Sequence, residues 1–140
     1  MTMMILADIF GIAIAQLFAG IAQVESECGM TSTNTYQLTT RYVDDVNRIQ
    51  KLKPTGGTAG CEMFQYSDVY NRDSAERMML VYWTYYGDRY RRITGKQPTA
   101  EVLARIHNGG PSGWKRHATD GYWRKVSLKL ENAKGEGKDE

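Results

Sequence analysis

"ILADIFGIAIAQLFAGIAQVES", residues 5–26, is the stretch whose reading decides the fold. It is apolar on nearly every side, and a helix with no polar face has to be buried. Residues 5–27 therefore predict a central helix with the rest of the chain packed round it. About 20 apolar residues would also cross a bilayer. Against that, Asp8, Gln16 and Gln23 would each be costly in lipid, no Lys or Arg precedes the segment, and only "AIA" at 13–15 has the form of a cleavage site. A signal peptide or anchor and a buried soluble helix both stay open on this reading.

Helical spacing continues downstream. Thr39 or Thr40 can cap a helix through "RYVDDVNRI", in which Tyr42, Val43, Val46 and Ile49 recur at intervals of three and four, and which stops near "KPTGG". Asp73, Ser74, Ala75 and Glu76 have the form of a capping box for a long helix to about Arg92, buried along Ala75, Met78, Met79, Tyr82 and Tyr86. Pro98 and Thr99 start another, with Val102, Leu103 and Ile106 on its apolar side and Gly109, Gly110 and Pro111 at its end. Thr119 caps a last helix carrying Tyr122, Trp123, Val126 and Leu130. No segment alternates with period two over a useful length. The fold class is therefore all-α, with at most a short hairpin between residues 28 and 38 or 50 and 65.

A chain of 140 residues suits one domain with one core. With 41% hydrophobic and 24% charged residues it is neither disordered nor a fibrous composition. Cys28 and Cys61 are too few for a disulfide framework and lack metal-ligand spacing, and whether they pair stays open. The net charge of +2 conceals an asymmetry, since residues 1–86 carry six Lys/Arg against nine Asp/Glu and residues 87–126 carry nine against three. "RYRR" (89–92) and "WKRH" (114–117) make that second region basic, which suits either a solvated face or an anionic polymer such as nucleic acid or bacterial wall.

Glu25 is the residue best suited to chemistry, because it ends an apolar helix, where a carboxylate is least at home. Poor solvation raises a carboxyl pKa and allows proton donation near neutral pH, which protonating a glycosidic oxygen requires. An exposed helix-end glutamate is the plainer alternative. Other chemistries lack parts: His107 and His117 have no companion zinc ligands, "HNGG" lacks the second His and carboxylates of a nuclease site, and no Gly-rich phosphate loop opens a helix.

"LFAGIAQVES" (17–26), then "YQL" (36–38), then "LARIHNGGP" (103–111) resemble, in order and spacing, the soluble lytic transglycosylase and goose-type lysozyme superfamily. "ARIHNGGPSGW" and "GYWRKV" are also similar to the second half of invertebrate-type lysozymes. The resemblance covers about Leu17 to Val126 and implies a lysozyme-like single domain of residues 17–126, preceded by an apolar extension (1–16) and followed by a charged flexible tail (127–140). It implies cleavage of the β-1,4 bond between N-acetylmuramic acid and N-acetylglucosamine in peptidoglycan, by a monomer with no cofactor and no nucleic-acid partner. By the same resemblance Glu25 is the general acid, with Ser26 its neighbour, and Gln37 and Tyr36 stand near the reacting sugar. His107 and Asn108 would face the cleft, and Gly109 would leave room for substrate. The implied setting is the cell envelope or exterior, or the cytoplasm until release during phage lysis.

The chain also departs from these relatives. "ESEC" adds Glu27 two residues after Glu25, pointing elsewhere on a helix, and no Asp stands between Glu27 and Asp44, where invertebrate-type lysozymes carry a second catalytic carboxylate. Asp44 and Asp45 are candidates for a helper carboxylate, but on a helix beginning "TTRYVDD" they are expected to face solvent or to pair with Arg48 or Lys51. The resemblance then implies a one-acid mechanism in which Glu25 next acts as base: attack by the sugar's own 6-hydroxyl would give a 1,6-anhydro product, which is the expected one, and attack by water would give lysozyme-type hydrolysis. A wall-binding module that keeps the cleft without turnover is the alternative function.

Overall fold

A computed structural model describes the backbone of residues 8–9, 12–27, 34–52 and 62–136, and the side chains of 14–27, 34–52 and 62–133. Cys28, Cys61, most of the 1–16 extension and the end of the tail lie outside the described residues. Among the described residues, the apolar opening segment is helical from Ile14. Helix α1 runs Ile14–Ser26, and before it two-residue strands β1 (Asp8–Ile9) and β2 (Ile12–Ala13) pair antiparallel, Asp8 with Ala13 and Ile9 with Ile12. The expected start at residue 5 is thus displaced, because a sequence apolar on all sides carries no period to tell strand from helix. The described residues of 28–38 and 50–65 contain no hairpin.

Four further α-helices follow among the described residues: α2 (Thr40–Leu52), α3 (Arg72–Thr94), α4 (Ala100–Gly109) and α5 (Asp120–Glu136). Thr39 caps α2, its Oγ1 accepting from Tyr42 N at 3.1 Å, and Thr99 caps α4 by accepting from Val102 N at 3.2 Å. The cap of α3 is Asn71, which accepts from Ser74 N at 2.9 Å. Asp73, the cap expected from sequence, lies instead in the first turn, where its charge favours the helix N-terminus. Gly95, at φ 75°, ends α3 in a left-handed cap.

The core forms where α1 packs on α5, α2 on α3, and α4 on both α3 and α5. Every residue of the expected stripes on α2, α3 and α4 is buried, and α3 also buries Val81, Trp83, Gly87 and Tyr90. Trp83 stacks on Phe18 of α1 with ring centres 5.4 Å apart, tying the longest helix to the central one. Ile21, Met78, Leu103, Ile106 and Val126 are fully buried around them, and each such side chain contributes about 1.5–3 kcal/mol of burial. The helix after Asp120 does not give way to a loose tail at residue 127. It continues to Glu136, with Leu130 lodged against Gly20, where a Cβ would approach Leu130 Cδ2 to 3.2 Å, and Lys129 paired with Glu27. No described helix is long and apolar enough to cross a membrane.

Candidate active site

A cleft of about 880 Å³ opens between the end of α1, the outer face of α2, the middle of α3 and the segment that leaves α4. Glu25, Gln37, His107, Asn108 and Gly109 all line it. Five of the seven residues singled out from sequence therefore meet at one surface, although they come from parts of the chain more than 80 residues apart.

Glu25 is the last residue but one of α1, and its carboxyl is 12% exposed. Burial raises its pKa above the ordinary 4.5, opposed by a hydrogen bond that Tyr122 Oη donates to Oε1 at 3.0 Å. A position at the C-terminal end of a helix acts in the same sense as burial, because the partial negative charge of the last carbonyls disfavours a second negative charge. The result is a carboxyl that reaches the cleft, holds its proton above the usual range and is fixed in orientation by one phenol.

His107 stands beside it. Its Nε2 lies 3.1 Å from the Tyr36 carbonyl, which can only accept, so Nε2 carries the proton and Nδ1 is a bare lone pair. Nδ1 is buried without a partner among the described residues. Burial holds the imidazole pKa down to about 4. The 3.7 Å approach of Nε2 to Glu25 Oε1 is consequently a contact between neutral imidazole and carboxyl, not an ion pair at neutral pH. With Nε2 held by the Tyr36 carbonyl and Nδ1 buried, His107 acts as a strut between α4 and the Tyr36 backbone, while the exposed Asn108 offers the polar group.

That strut holds an unusual turn. Gln37 has φ 54°, a left-handed conformation that a residue with a Cβ adopts only when its surroundings impose it. Asn34 imposes it: Leu38 N donates to Asn34 Oδ1 at 3.0 Å, Asn34 Nδ2 donates to Leu38 O at 2.9 Å, and Asn34 O accepts from both Gln37 N and Gln37 Nε2. Tyr36 is buried in the same turn, donating to Glu76 at 2.6 Å, and does not line the cleft as expected. Ser26 is also absent from it. One step past Glu25 turns about 100° round the helix, and Ser26 Oγ, exposed, donates back to Gln23 O at 2.8 Å.

Gly109 lines the cleft, but its lack of a side chain serves packing. A Cβ there would meet Thr119 Cγ2 at 2.5 Å. Gly110, at φ 86°, turns the chain out of α4, and Gly113 returns so close to α4 that a Cβ would stand 2.1 Å from Arg105 O. Thr119, expected as a helix cap, closes this segment. Its hydroxyl accepts from Arg105 Nε at 2.8 Å and lies 2.7 Å from Gly113 O. Arg105 further holds Glu101, Asp120 and Arg116 O.

The remaining lining includes the two carboxylates that the sequence offers as helpers. Asp44 and Asp45 both border the cleft; Asp45 pairs with Arg48 at 2.8 Å and accepts from Tyr86 Oη at 2.5 Å. Tyr42 and Tyr82, stacked at 4.1 Å, add an aromatic wall. Arg41 and Arg116 complete the rim. Spacing on α2 could have signalled Arg41, Asp44, Asp45 and Arg48 as one helix face, but nothing in sequence links Tyr122 to Glu25. Among the described residues no three His, Cys, Asp or Glu side chains cluster as a metal site. Of the basic run, Arg91 and Arg92 are both paired with Asp88, and Lys115 lies over the Trp114 ring.

No protein-family model matches the chain. It is 51% identical over 41 residues to Lysozyme 1 of Crassostrea virginica, a match spanning 29% of this chain and 22% of that protein. It is 33% identical over 118 residues to Invertebrate-type lysozyme 6 of Caenorhabditis elegans, spanning 76% of this chain and 79% of that protein.

Proposed function

The chain belongs to the invertebrate-type lysozyme family, and from that premise we propose that it is a muramidase cleaving the β-1,4 bond of peptidoglycan with Glu25 as general acid. The observation that carries the reading is the Glu25 carboxyl, largely buried yet bordering the cleft, with its pKa raised and its orientation fixed by Tyr122. A proton kept at moderate pH is what the leaving glycosidic oxygen must receive as the C–O bond breaks and positive charge develops on the sugar ring. Asn108 and Gln37 are suited to the amide and hydroxyl groups of N-acetyl sugars, and the Tyr42–Tyr82 wall to their apolar faces.

The second step divides two readings. Water as nucleophile needs a carboxylate to hold it, and Asp44 and Asp45 on the same cleft support that route. Attack by the 6-hydroxyl of the muramic acid, the lytic-transglycosylase route, is favoured by the absence of any acidic residue between Glu27 and Asp44. The products differ by one water molecule. Mass spectrometry of fragments released from purified peptidoglycan by the wild type and by Glu25→Gln tests the whole reading. Release by the wild type and near-complete loss in the variant is the expected result. Wall binding without release by either protein would make the chain a binding module.

A further inference from the structure

Among the described residues, the guanidiniums at and beside the cleft divide into two groups. Arg48 is engaged by Asp45 and Tyr86, and Arg105, 13% exposed, by Glu101, Asp120, Thr119 and the Arg116 carbonyl. These guanidiniums hold helices together. Arg41 and Arg116 differ: both are exposed, both line the cleft, and among the described residues no carboxylate pairs with either. They also come from different sides. Arg41 is in the first turn of α2, near enough to Tyr82 to oppose the rise in that phenol's pKa, and Arg116 is on the segment leaving α4. Asp44 follows Arg41 by one helical turn on the same helix and does not close onto it.

We propose that Arg41 and Arg116 form a carboxylate-reading pair on the rim of the cleft, which selects glycan strands bearing acidic substituents over neutral ones. This rests on the glycosidase reading above and names the feature of the substrate it reads. In peptidoglycan each muramic acid carries a lactyl-linked peptide stem with free carboxylates; a polymer of N-acetylglucosamine alone carries none. A guanidinium offers a planar fork of donors that matches a carboxylate bidentately, and an unpaired one loses no internal ion pair when it turns to a ligand. Two such forks from separate elements would engage a stem projecting from the cleft while the sugar backbone occupies the tyrosine wall. Because both are exposed, their effect falls on substrate choice and association rate more than on tightness of binding.

The test compares soluble peptidoglycan strands with the same strands after carbodiimide amidation of the stem carboxylates, with a neutral chitin hexasaccharide as a third substrate. The wild type is expected to favour native over amidated strands by about tenfold in kcat/KM, and the Arg41→Gln/Arg116→Gln double variant to bring that ratio close to one. Lys at both positions should restore part of it, keeping charge without the fork. An unchanged ratio in the double variant, or no preference in the wild type, overturns the pair. If the wild type cleaves none of the three, the glycosidase reading fails on its own. The association rate constants of native and amidated strands with the two proteins then decide the pair by the same ratio.

Discussion

Tyr122 Oη donates to Glu25 Oε1 at 3.0 Å, joining α5 to the end of α1 across 97 residues of chain. The bond favours the ionised carboxylate, while burial, the larger influence, favours the protonated one. Tyr122→Phe removes the opposing influence, so the Glu25 pKa rises further. An acid catalyst is lost as pH climbs through its pKa, and the alkaline limb of kcat/KM should therefore move to higher pH in Tyr122→Phe. A limb that stays in place or moves down would remove Tyr122 from the control of the acid.

Glu25→Gln should keep the fold and cost at least 10²-fold in turnover. It carries a stability signature too. Since the folded protein holds this pKa above 4.5, the unfolded chain releases the proton first. The stability contributed by the protonated carboxyl is complete below pH 4.5 and is lost as pH rises through the folded value. Glu25→Gln is thus expected to raise Tm at pH 7 and to leave it unchanged at pH 4. An equal Tm change at both would mean the carboxyl is not strained by burial.

His107 has the opposite sign. Its pKa is depressed from 6.5 to about 4 by burial, so the unfolded chain takes up the proton first as pH falls. Its contribution is complete above pH 6.5 and is lost progressively from there toward pH 4. The His107 ring should titrate by NMR near 4, with Nε2 protonated in the neutral form, and Tm of the wild type should fall across that window more steeply than Tm of His107→Gln. A midpoint near 6.5 would show an imidazole open to water.

Much of this was legible because apolar residues at intervals of three and four report a buried helix face wherever one face is polar, as on α2 and α4. Where that contrast is missing there is no period to read: the residues described before Ile14 pair as short strands in a mostly apolar stretch, and "NAKGEGKDE" looks loose by composition although 132–136 continue α5. Asn71 and Asp73 are both good caps, and only the path of the chain out of the 3-10 turn Tyr66–Tyr70 selects Asn71. At the site, Glu25 announced itself as a carboxylate ending an apolar helix. Ser26 and Tyr36 belong to the motifs that carry the resemblance, but the residue after Glu25 on the helix points about 100° away from it and Tyr36 is turned into the core. Gly109 was chosen for substrate and is needed for Thr119. Contacts as distant as Tyr122 with Glu25 leave no local signature.

The Asn34 clamp yields a sharper test of preorganisation. Asn34→Ala leaves Leu38 N and O without their partners in a buried turn, which should cost about 2–3 kcal/mol. Released from the clamp, Gln37 should relax from φ 54° toward an ordinary conformation. Turnover should then fall by more than the change in folded fraction explains, measured at a temperature where both proteins are fully folded. Asn34→Asp, which keeps the acceptor for Leu38 N, should lie between the two. Equal turnover in folded wild type and Asn34→Ala would make the turn a structural feature only.

The choice of nucleophile comes down to Asp44 and Asp45, adjacent in sequence and differently employed. Asp45 is engaged by Arg48 and by Tyr86 and is part of the wall between α2 and α3. Replacing it with Asn weakens a charge-assisted contact and should lower Tm along with activity. Asp44 is exposed on the cleft and no described cation pairs with it, so its carboxylate is available to orient a water molecule. If water completes the reaction, Asp44→Asn should lower hydrolysis by tenfold or more with Tm unchanged, and the fragments released by the wild type should end in reducing muramic acid. If the sugar's 6-hydroxyl attacks instead, the wild type should release 1,6-anhydro fragments and Asp44→Asn should leave both rate and product as they were. A mixed product that shifts toward the anhydro form in Asp44→Asn would mean that one cleft supports both routes and that Asp44 sets their ratio.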